Sequence, residues 1–130
     1  MIKELMQYLG IAFSEGVYLG DAPENTPPPY LTVDENSVDY DEAITADAAR
    51  SRVGSYSIAV YATDYASLTA LLTRLRQRVD RVGEVFDLGG VAVGLMKIES
   101  EEDTFSYYLE DGETLVFERT INVLTHYERI

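Results

Sequence analysis

The sequence contains no cysteine, no tryptophan, one histidine (His126) and only four prolines. Without cysteine there is no disulfide, no thiolate metal site and no thiol nucleophile. A lone histidine leaves little for zinc coordination or for the commonest acid–base chemistry. Positive charge is scarce too: 10 Lys and Arg stand against 23 Asp and Glu, a net charge of −13. Such a surface should repel nucleic acid, whose affinity rests on Lys and Arg at phosphates. No apolar run approaches the roughly 20 residues of a membrane-spanning helix. The start, Met1-Ile2-Lys3-Glu4-Leu5-Met6, has neither a basic leader nor a long apolar stretch. No signal peptide is therefore expected, and a cytoplasmic origin is the default.

What is present is a chain of 130 residues, 46% apolar, which is one domain by length and able to bury a core without staples. Its acidity is uneven: from Met1 to Ala49 the only basic side chain is Lys3, against ten acids. Ile2, Leu5, Met6 and Leu9 fall on one face of a short helix, with Gly10 as its stop. Pro27-Pro28-Pro29 forces extended backbone, and Tyr30-Leu31-Thr32-Val33 reads as a strand. Residues 34–52 are acidic and poor in large apolar side chains, which predicts an extended arm or hairpin.

Tyr56, Ile58 and Val60 alternate with small residues and predict a half-buried strand. Thr63-Asp64 offers a helix cap, after which Tyr65, Leu68, Leu71, Leu72, Leu75, Val79 and Val82 form one helical stripe ending near Gly83. Val91–Ser100 reads as a strand, Glu101-Glu102-Asp103 as an acidic turn, and Thr104–Leu109 as a short strand. Asp111-Gly112 signals a hairpin turn into a long last strand, Thr114–Tyr127, whose apolar row Arg119 interrupts. The predicted fold is a two-layer α+β domain. It has an antiparallel sheet of about four to five strands, one long helix over about 64–82, a short N-terminal helix, and an acidic arm over about 34–52.

No constellation carries catalysis, and no cofactor or metal is expected. Glu99, Glu101, Glu102 and Asp103 lack the spacing of a calcium loop and read as a solvated turn. There is no Gly-x-Ser-x-Gly elbow. Gly89-Gly90-Val91-Ala92-Val93-Gly94 lacks the Gly-Lys-Ser/Thr end of a phosphate loop. Arg74, Arg76, Arg78 and Arg81 are the only basic concentration, either a solvated helix face or a face for an acidic patch on another copy. Ten tyrosines fit interfaces as well as strands.

The layout resembles the tail terminator, or tail-completion, proteins of long-tailed bacteriophages. The likeness runs from Met1 to Tyr127. It lies in the short first helix, Pro28-Pro29-Tyr30-Leu31, the acidic stretch from Asp39-Tyr40-Asp41 to Asp47, and Ser55-Tyr56-Ser57-Ile58-Ala59-Val60-Tyr61 leading into a helix. The resemblance implies a six-fold ring that caps the tail tube, stops its growth and joins it to the head connector. Its partners would be copies of itself, the tail-tube protein and a connector or adaptor protein, with DNA passing through unbound and no membrane contact. It would sit in the virion at the tail–neck junction. Pro28, Pro29, Tyr30, Asp39, Tyr40, Asp41, Asp47, Arg74, Arg78 and Arg81 would make subunit or tube contacts. Glu99, Glu101, Glu102 and Asp103 are the candidate lumen acids. A neck adaptor or a tail-tube subunit fits the same pattern. Readings of another class are a small metal-dependent or hydrolytic enzyme using the acidic clusters, and a DNA-mimicking inhibitor.

Overall fold

A computed structural model describes residues 1–40, 51–109 and 111–129. Helix α1, Ile2–Ala12, buries Leu5, Tyr8 and Leu9. It runs through Gly10 and ends at Phe13, whose N–H reaches the Leu9 carbonyl at 2.9 Å. A mid-helix glycine costs about 1 kcal/mol against alanine. Continuing the helix seats the Phe13 ring in the core, at 2% exposure, which outweighs that cost.

Six strands follow: β1 Val17–Leu19, β2 Tyr30–Tyr40, β3 Ser51–Ala62, β4 Phe86–Leu88, β5 Val91–Tyr108 and β6 Leu115–Arg129. Helix α2, Tyr65–Val79, lies between β3 and β4. The sheet order is β1-β2-β3-β6-β5-β4. All neighbours are antiparallel except β1 and β2, which are parallel.

This corrects the predicted architecture. The protein is a curled, mixed, six-stranded sheet carrying about half of its residues, with two short helices, and not a smaller antiparallel sheet under one long helix. Two causes are visible. Strands β1 and β4 are three residues each, too short to show a period. Helix α2 stops at Val79 because the next free amide, that of Arg81, is taken by the Met96 carbonyl of β5 at 2.9 Å. Val82, expected on the buried stripe, is accordingly 65% exposed. The start was legible: Asp64 caps α2 by accepting from the Ser67 amide at 2.7 Å.

The expected acidic turn at Glu101–Asp103 is also absent. β5 is one continuous strand whose register shifts at Val93/Leu95, Ile98/Ser100 and Asp103/Phe105. Each bulge inserts one unpaired residue and bends the strand. The alternation of side chains resets at each, so no single period spans the segment. The predicted arm is in part sheet: Asp34–Tyr40 belongs to β2 and pairs with β3. Asp41 and Asp47 lie outside the described residues.

The core lies on one face of the sheet, under both helices. Leu31 and Val33, Ile58 and Val60, Ile121 and Val123 meet Leu5, Leu9, Leu68, Leu72 and Leu75 there. No helix among the described residues is long and apolar enough to cross a membrane.

Candidate interaction surfaces

The arginines of α2 bind within the chain. The last turn of α1 carries no basic residue of its own. Its C-terminal carbonyls are met from outside: Arg74 donates to the Ala12 carbonyl at 2.6 Å and Arg78 to the Tyr8 carbonyl at 3.1 Å. Cations at a helix C-terminus complement the helix dipole. Arg74 also pairs with Glu15 at 2.8 Å, and this hydrogen bond holds the Glu15 carboxyl below its ordinary range. The Arg78 guanidinium lies 3.8 Å over the Tyr8 ring, and Arg81 lies 3.7 Å over the Phe86 ring while pairing with Glu84. Arg76 pairs with Glu101 at 2.6 Å. Arg119, the residue that interrupts the apolar row of β6, reaches Glu101 at 3.7 Å and Asp103 at 3.2 Å. Among the four candidate lumen acids, Glu101 and Asp103 are thus paired, whereas Glu99 and Glu102 point to solvent.

The sheet face away from the helices carries an uncharged ladder that the sequence reading did not single out. Asn36 donates to the Ser57 hydroxyl at 2.7 Å, Ser57 to Asn122 at 2.7 Å, and Asn122 to Ser100 at 2.9 Å. It crosses β2, β3, β6 and β5 in one line. Period-2 alternation identifies Ser57 and Asn122 as outward-facing, but Asn36 and Ser100 lie at register shifts, and the alignment of all four depends on register, which the sequence does not state.

One end of this face is aromatic. Tyr30 stacks on Tyr61 with ring centroids 4.7 Å apart, and Tyr18 meets Tyr30 edge-on at 5.9 Å. The Tyr61 hydroxyl donates to Glu118 at 2.6 Å. Val116, Ala59 and Thr32, buried outside the main core, lie on the same face by register. Pro28 is half-buried and Pro29 exposed, leading into Tyr30. A shallow groove between residues 22–27, Tyr30, Leu109 and Asp111 lies beside them. A second groove at the opposite end of the sheet is lined by Arg52, Val85, Gly94 and His126.

Burial pushes the Tyr30 phenol up to about 12, with Tyr107 beside it adding to the shift, and raises Tyr56 and Tyr61 in the same way. A phenol whose folded value lies above its unfolded value of about 10 holds its proton more tightly in the fold, so its contribution is complete below pH 10 and is lost as pH rises toward 12. We expect thermal unfolding temperature to be flat from pH 8 to 9 and to fall above pH 10. Absorbance of tyrosinate near 295 nm should show Tyr30, Tyr56 and Tyr61 ionising later than the exposed tyrosines. Titration of all ten tyrosines near pH 10 in the folded state would contradict the burial of these three.

Two strand edges are bare among the described residues. β1 covers β2 only at Leu31–Val33, leaving Asp34–Tyr40 open on the outer side. β4 covers β5 only at Val91–Val93, leaving the strand beyond Met96 open. Asp34, Glu35 and Asp39 are exposed on the first of these edges, and Tyr40 sits opposite Arg52 at its end. No group of acids or His that could hold a metal occurs among the described residues.

No protein-family model matches the sequence, and no curated protein does. Among solved structures, a chain of the virion of a native gene transfer agent particle superposes with a TM-score of 0.58, at 15% identity, over 95% of this chain and 84% of that one. The two chains share a fold. At that identity the likeness speaks for architecture alone, because one fold hosts many functions. It spans nearly the whole chain.

Proposed function

We propose that this protein is a structural component of a phage-like virion, one that closes the tail tube as a ring of copies and joins it to the head connector. The observation that supports the reading is the whole-length fold likeness to a chain of a gene transfer agent virion. The bare edges support it also, since an isolated sheet edge favours pairing with another chain. A net charge of −13 per copy suits a passage through which DNA slides without being held. No catalytic step belongs to this reading.

The experiment is imaging of particles made with and without this chain, and with the chain labelled. We expect the label at one end of the tail. Particles lacking the chain should show tails of uncontrolled length or heads without tails, restored when the chain is supplied. Label spread along the whole tube would favour a tube subunit instead. Normal, joined tails in its absence would sink the proposal. Calorimetric titration with calcium or magnesium checks the enzymatic alternative: binding heat lost on Glu99→Gln and Glu102→Gln would favour a metal-using site.

A further inference from the structure

We propose that the outer edge of β2, Asp34–Tyr40, is a docking edge for an extended, lysine- or arginine-bearing strand of a different chain. Three observations meet there. First, the edge is preformed. Its inner side is held by β3 from Asp34↔Ser57 to Tyr40↔Arg52, with one register shift at Glu35/Ser37, while β1 has ended at Leu19. The open N–H and C=O groups on either side of that shift are therefore already held in strand geometry, and an incoming strand need not order them.

Second, the guards on this edge select by charge. Its residues include no lysine and no proline, and what protects it is three acids and one bulge at Glu35/Ser37, which repel an acidic strand but not a basic one. The longer open edge, on β5, is interrupted by register shifts at Ile98/Ser100 and Asp103/Phe105 and is the poorer template.

Third, the charge selects the occupant. Asp34, Glu35 and Asp39 are exposed and lie on both faces of the strand, since Asp34 sits opposite Ser57 and Glu35 opposite Tyr56. A second copy is a poor source of countercharge. It brings a net charge of −13, and five of its ten Lys and Arg side chains, Arg74, Arg76, Arg78, Arg81 and Arg119, are already held by Glu15, Glu101, Glu84, Asp103 and carbonyls of α1. Like charges facing each other across a strand pair destabilise it, and opposite charges stabilise it. The occupant is thus a basic strand from a partner protein. The virion reading bears only on where that strand comes from; the edge itself stands apart from it.

The test uses a blocked, labelled peptide alternating lysine with threonine, added to the full chain and followed by fluorescence anisotropy. A glutamate–threonine peptide is the control. Two further lysine peptides carry backbone N-methyl groups at alternate residues, in either phase. A strand pairs through one of its two edges, so one phase should abolish binding and the other should leave it intact. The triple variant Asp34→Lys/Glu35→Lys/Asp39→Lys should weaken the lysine peptide by about tenfold or more. If that variant fails to fold, Glu35→Gln/Asp39→Asn serves, with a smaller loss. Failure of the lysine peptide to bind overturns the proposal. So does equal binding of the glutamate peptide, identical behaviour of the two methylated phases, or indifference to the edge variants. None of these results bears on particle imaging, so the two proposals fail separately.

Discussion

Gly54→Ala should destabilise the fold by about 1–3 kcal/mol, an overpacking penalty at a site with no room for a methyl group. Gly54 is buried in β3, and a Cβ there would sit 2.6 Å from Cε2 and 2.7 Å from the hydroxyl of Tyr56, and 3.0 Å from Oγ1 of Thr125. The Tyr56 ring, itself fully buried, lies back over the glycine two residues earlier. The ring cannot swing away, because Ile58, Val33 and Val123 belong to the same packed core. Urea unfolding should show a lower midpoint with an unchanged slope. The cause can be isolated by a double-mutant cycle. Tyr56→Leu removes the ring, and in that background Gly54→Ala should cost about 1 kcal/mol less than it does alone. Strict additivity would mean that the glycine is required by its backbone and not by the ring. The consequence reaches the proposed docking edge, since Val38 of β2 pairs opposite Gly54.

Gly54 also shows where sequence reading stops. A glycine within Arg52–Tyr61 is visible in the sequence, as is the alternation of Tyr56, Ile58 and Val60, and both suit a strand. That the tyrosine folds over the glycine is a rotamer choice and carries no period. The elements with a long, clean pattern were legible: α1, β3, the start of α2, the Asp111-Gly112 turn and β6. At that turn Asp111 accepts from the Glu113 and Thr114 amides, each at 2.9 Å. The elements that were not legible each have a reason. β1 and β4 are single short runs that exist because a longer neighbour offers an edge. β5 looked like two strands around a turn because its bulges reset the alternation and because four acids cluster there. Glu101 and Asp103 are tolerated in a strand because Arg76 of α2 and Arg119 of β6 pair with them, while Glu99 and Glu102 are exposed. On the surfaces, residue types were readable and partners were not. The arginine run of α2 was visible, but helical spacing alone does not distinguish an outward face from one that grips the neighbouring helix.

That grip sets the second large effect, and it converges on Tyr8, a residue that spacing alone gave no reason to single out. The Tyr8 hydroxyl donates to the Arg78 carbonyl at 2.8 Å and accepts from Arg81 at 3.0 Å. Its ring lies under the Arg78 guanidinium and beside Phe86, centroids 6.0 Å apart. One side chain therefore joins α1, the end of α2 and β4. Tyr8→Ala should cost about 3–5 kcal/mol, the range for removing a buried aromatic. Tyr8→Phe keeps the ring and should cost only about 1 kcal/mol for the hydroxyl's hydrogen bonds. The loss should also be local. β3 and β6 are paired along their length from Ser51↔Glu128 to Ala62↔Phe117, and Tyr8 takes no part in that pairing. Native-state hydrogen exchange on Tyr8→Ala should therefore show α1 amides exchanging far faster while those of β3 and β6 keep most of their protection. Equal loss of protection across both strands would mean that α1 and the sheet open as one unit. Arg78→Lys separates charge from geometry. Lysine retains the cation beside the α1 carbonyls but loses the flat guanidinium over the ring, so a cost close to that of Arg78→Ala would assign the grip to stacking and not to charge.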